Sequence, residues 1–188
     1  MRLCIYGGYM SNIEKFSETD LTQALAYSGF ILVAFELVKS IIVSPIKAFY
    51  EDITFAEGMY FKSYEDDVLS RHKNNFEACL LYLRDFMEAI DEEDFLTIQA
   101  LRTHRNELAH DLPSMLGNLD VKSHFLLLEK TNKALFKLSN FRVYMEIGSD
   151  PYFQNKGIDW ETVKGAEYML FEEILGKVSV LKNSYKNA

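Results

Sequence analysis

Apolar positions along this chain recur three and four residues apart over stretches too long for strands, and that spacing predicts helices throughout. The first helix begins after the cap-like Ser17-Glu18-Thr19-Asp20 and runs to about Ser44. It is apolar nearly all round (Ile31, Leu32, Val33, Phe35, Leu37, Val38, Ile41), as a buried central helix would be. Ser44-Pro45 reads as an N-cap and first-turn proline that restarts or kinks it. Residues 46–56 then stay helical, and Gly58 to Tyr64 is irregular. A second long helix is expected from about Asp66 to Ile90 on Phe76, Leu80, Leu83, Phe86 and Ile90. A third runs from about Glu93 to Leu112 and a fourth from about Asp120 to Ile147. Gly148 to Asp159 is read as a loop, and Asp159 as the cap of a final helix on Val163, Leu170, Ile174, Val178 and Leu181. The expected fold is all-α: one domain over 1–188, an antiparallel bundle of five or six helices behind an N-terminal extension, 1–16.

Composition narrows this picture. At 48% apolar with fourteen Phe and eleven Tyr, the chain can bury a sizeable core, and disorder is excluded. Three prolines and nine glycines leave room for long helices. Cys4 and Cys79 form neither a disulfide framework nor a metal-ligand spacing, which fits a reducing cytoplasm. The formal charge of −8 opposes a broad non-specific nucleic-acid footprint, though not a small basic pocket at Arg71-His72-Lys73 or Arg102-Thr103-His104-Arg105. Leu25 to Val43 raises a membrane question, but Glu36 and Lys39 near its centre are costly in a bilayer, so a wholly buried core helix is expected. His72 and His124 lack partners at ligand spacing. No metal, no cofactor and no membrane are expected.

One position breaks the helix pattern. Ile98, Leu101, Leu108 and Leu112 define a stripe whose missing member is Arg105, and a guanidinium on a buried stripe is costly unless an anion meets it. Glu36, in the apolar first helix, is the obvious mate. His110 follows five residues later, just before the helix is expected to stop at Asp111-Leu112-Pro113. Five residues are roughly 140° round a helix and about 7.5 Å along it, so Arg105 and His110 are not direct neighbours. A long arginine reaches the histidine where the last turn frays. Asn106, four residues before His110, is placed to bond its imidazole.

Residues 105–110, Arg-Asn-Glu-Leu-Ala-His, resemble the Arg-x4-His motif of the HEPN superfamily (higher eukaryotes and prokaryotes nucleotide-binding). The surrounding helix, Ile98 to Asp111, is similar to that family's motif helix, and some eighty residues follow its order of long helices loosely. The stretch around Phe35-Glu36-Leu37 is similar to the mannitol-repressor-like branch. The resemblance implies a helical bundle that dimerises with its motif helices near the interface. In active members, which are metal-independent endoribonucleases, arginine and histidine of both protomers form a composite cleft. Carried over, Arg105 binds the scissile phosphate, His110 moves protons, and Asn106 orients the site. Arg102 and His104 are the expected substrate-binding residues. RNA, a protein antitoxin or regulator, and a second copy are the implied partners, in a toxin or defence effector. In one subgroup a tyrosine two residues after the histidine is modified by a nucleotidyltransferase antitoxin. Here that position is Leu112, so that route is not expected.

The bland alternatives are specific. Arg105 can be half of a buried ion pair with Glu36 that fixes helix register, and His110 a C-terminal capping histidine. The protein is then a non-catalytic regulatory or partner-binding bundle.

Overall fold

The computed structural model describes residues 17–52, 63–115, 121–148 and 150–184. Among them there is no strand, and the chain is all-α. The proposed extension at 1–16, and residues 53–62 with most of the expected irregular stretch, lie outside the described residues.

Helix α1, Glu18–Asp52, is 35 residues long and continues through Pro45 rather than restarting there. The proline removes one amide donor, but the packed face carries across it. Ala24, Tyr27, Ile31, Ala34, Phe35, Val38, Ile41, Ile42 and Ile46 are all buried at helical spacing. The opposite face is open. Leu25 is 46% and Val33 51% exposed, so α1 is not the wholly buried helix its composition predicts. It is long and apolar enough to cross a membrane, yet one face packs on four other helices.

The second expected helix is broken. Helix α2, Tyr64–Asp67, is capped by Ser63 and leads into a 3-10 turn at Leu69–Arg71. Helix α3, Asn75–Asp85, starts afresh on Asn74, whose side chain accepts from the Glu77 amide at 3.2 Å. It ends with Ala89 N–H bonded to the Leu83 carbonyl, which puts Glu88 at φ 52, the left-handed region normally left to glycine. Phe86, expected in the core, is 58% exposed.

Helix α4 spans Glu92–Met115 and α5 spans Val121–Ile147. The expected 148–159 loop contains a short helix α6, Pro151–Gln154, capped by Asp150 with proline in its first turn. Asp159 caps a 3-10 turn, Trp160–Thr162, and not the last helix, α7, Ala166–Ser184. Helix α4 packs on α5, α5 on α7, and α1 against α3, α4, α5 and α7. Their shared core includes Tyr27, Ile31, Ile42, Leu80, Ile98, Leu101, Leu108, Leu128, Leu135 and Phe171.

Candidate functional site

Helix α4 carries the motif, and its buried face decides what the motif can do. Asp94, Phe95, Ile98, Leu101, His104 and Leu108 are buried on it. The polar member of the core stripe is therefore His104, not Arg105. A stripe of 98, 101, 104, 108 satisfies helical periodicity as well as 98, 101, 105, 108 does. The His104 Nδ1 lies 3.6 Å from a Glu107 carboxylate oxygen. Its burial removes it from the solvent-facing surface where a substrate would be met.

Arg105 flanks this stripe on the side of α1, with its side chain 31% exposed. Three contacts fix its guanidinium. Nη2 donates to Glu36 Oε1 at 3.1 Å, Nη1 donates to the Asn106 amide oxygen at 3.2 Å, and the group lies 5.6 Å over the Phe35 ring. Its Nε is buried and has no hydrogen-bond acceptor among the described residues. Glu36 is half exposed and also lies 3.6 Å from Lys39 through its other oxygen. The pair is thus a partly wetted one at the α1–α4 seam, not a buried bridge.

Arg102 is committed elsewhere. Its Nη1 donates to Glu77 Oε2 at 2.7 Å, and Gln99 donates to the same carboxylate. The guanidinium sits 5.8 Å over Phe76, which packs at 5.5 Å against Phe35. Arg102, Phe76, Phe35 and Arg105 therefore form a ladder, with a cation at each end of a buried aromatic pair and a carboxylate on each cation. Such stacking contributes about 0.5–1 kcal/mol per cation at a partly exposed site. Phe35 and Phe76 stand in the sequence as apolar helix positions, and nothing in it singles out Glu77. Only the packing of α1 on α3 and α4 joins them.

His110 is exposed and shares no hydrogen bond or ion pair with another described residue. It is not near a helix end, because α4 continues through Pro113 to Met115. Fraying therefore does not bring Arg105 and His110 of one chain together, and Asn106 spends its amide oxygen on Arg105 rather than on the imidazole. The Leu112 side chain lies outside the described residues.

Other candidate groups are occupied. Arg71 donates to the Asp67 carbonyl and covers the Tyr82 and Phe86 rings, and His72 Nδ1 accepts from the Asn74 amide. Burial pushes the Cys79 thiol up, against a thiolate. Burial also raises Tyr50 and Tyr64, which bond to Asp67 and Asn75. No group of three or more His, Cys, Asp or Glu among the described residues is arranged to hold a metal. A cavity of about 350 Å³ beside Ser139, Arg142 and Gly165 and another of about 570 Å³ beside Arg84 and Lys137 both lie away from Arg105.

No protein-family model, curated protein or solved structure matches this chain.

Proposed function

We propose that this chain is a HEPN-type helical bundle that cleaves RNA without a metal, acting as a homodimer in a cytoplasmic toxin or defence system. The observation that carries the reading is the guanidinium of Arg105, held by Glu36, Asn106 and Phe35 at an open seam with its Nε unused. A preorganised, partly dry cation suits charge that builds on a phosphate in a transition state. His110 stands exposed on the same helix and moves protons to and from the ribose 2′-hydroxyl and the leaving oxygen. Because the two lie roughly 140° apart round α4, each guanidinium works with the imidazole of the other copy.

Purified protein is expected to cut RNA in EDTA and leave cyclic phosphate ends. Arg105→Ala and His110→Ala are each expected to lower the rate at least about 100-fold. Mixing the two variants restores one intact composite site per heterodimer and part of the activity. Cleavage that persists in both variants overturns the reading.

The Glu36–Arg105 pair favours a second reading, a non-catalytic regulatory or partner-binding protein similar to the mannitol-repressor-like branch. Arg105 then keeps α1 and α4 in register. This reading requires that no RNA be cut under any of these conditions and that Arg105→Ala act on stability alone.

A further inference from the structure

The Nε and Nη2 hydrogens of an arginine lie on one edge and together grip two oxygens of a carboxylate or phosphate. In Arg105 that edge is half filled. Glu36 gives a single oxygen to Nη2 at 3.1 Å, and the buried Nε beside it has no acceptor among the described residues. The second Glu36 oxygen is turned to Lys39, 3.6 Å away and one helical turn along α1. Glu36 and Lys39 are both about half exposed, whereas the guanidinium is pinned beneath by Phe35 and at its far side by Asn106. The carboxylate is the more exposed member of the pair, and the cation is the one held by three contacts.

We infer that Glu36 is an exchangeable stand-in for phosphate on Arg105, and that Lys39 is the position to which it retires. A phosphate group brings oxygens for both Nε and Nη2, two charge-assisted bonds in place of one. The displaced carboxylate keeps its Lys39 partner and is not left as an isolated charge. With no phosphate bound, the same carboxylate neutralises the guanidinium and screens it from chance anions. Glu36 and Lys39 are therefore positioning residues for the anion site, a role that rests on the ribonuclease reading for its substrate but not for its measurement.

Inorganic phosphate titrated against the full chain, followed at the Arg105 Nε–H by NMR, tests the exchange. Glu36→Gln keeps the shape and removes the competing charge, so phosphate is expected to bind about fivefold tighter. Lys39→Met withdraws the retirement site, and phosphate is expected to bind about threefold weaker. Arg105→Ala abolishes binding. In RNA cleavage, Glu36→Gln lowers KM. A Glu36→Gln chain that binds phosphate no tighter overturns the inference. If Glu36→Gln does not fold, an unchanged phosphate affinity in Lys39→Met overturns it alone. The two proposals fail separately. Phosphate exchange without any RNA cleavage ends the ribonuclease reading only, and Arg105-dependent cleavage indifferent to Glu36→Gln ends the exchange only.

Discussion

At the start of α4, Asp91 and Asp94 cap the helix reciprocally. Each backbone amide donates to the other's carboxylate, and Lys137 of α5 donates to both acids at 2.9 and 2.6 Å. Arg84 lies 4.3 Å over Phe95 and bonds Asp85 and Glu92. Toward the other end of the same helix, Arg105 has a donor without an acceptor, Glu36 is shared between two cations, and His110 stands unbonded to any described residue. The first cluster has its charges committed to holding helices together. The second keeps capacity for a group from outside. Charge density alone does not separate the two. The account of which donors are used does.

Substitutions at the two ends sharpen this contrast. The largest expected effect is at the open end, where Arg105→Ala removes RNA cleavage by at least about 100-fold. The same change costs only about 1 kcal/mol of stability, since its partner is half exposed. Thermal melts beside an activity assay check both numbers, and a loss of several kcal/mol would make Arg105 structural. At the closed end the expectation reverses. Lys137→Met should lower stability by about 1 kcal/mol, or 2–4 °C in Tm for a chain of this size, with phosphate binding unchanged.

The pH dependence of that second effect follows from two shifts. The bond from Lys137 holds the Asp91 carboxyl below the usual range, and the bond to Asp94 raises the Lys137 ammonium. Asp91's contribution is present above the unfolded carboxylate value of about 4 and is lost as pH falls through its lower folded value. Lys137's contribution is complete below the unfolded lysine value of about 10.4 and is lost as pH rises through the higher folded value. The Tm gap between wild type and Lys137→Met should therefore be widest between about pH 5 and 9 and narrow on both sides. The smallest expected effect is a gain. Glu88→Gly relieves the left-handed backbone at the turn leading to this cluster and should stabilise the fold by up to about 1 kcal/mol. Urea unfolding of that variant is the measurement.

Helical spacing alone carried the all-α class and most helix positions, because long 3.6-residue periodicity is hard to mistake. Breaks were harder. Asn74 and Asp150-Pro151 are capping signals standing in plain sight, but the hydrophobic spacing runs through the first, and the second sits in a stretch whose composition reads as loop. Pro45 reads as a restart or kink and Pro113 as a stop, while both helices continue past them, α1 with its packed face intact. At the site, Glu36 was legible as the one acid on an apolar face near a stray arginine. His104 and Arg105 were not separable, since either polar neighbour completes the stripe and only the approach of α1 and α5 decides which is buried. The aromatic ladder joins three helices distant in sequence, and no local pattern announces it.

Pro45 has one more consequence. With no amide hydrogen there, the carbonyl of Ile41 loses the donor that α-helical order would supply. Helix α1 is one rod whose internal bonding is thinned at a single point. The upstream half carries Glu36, and the downstream half is tethered through Tyr50 to Asp67 and Tyr82. A flexure at this joint would move Glu36 relative to that tether without breaking either half, so the geometry at Arg105 is answerable to a residue two and a half turns away.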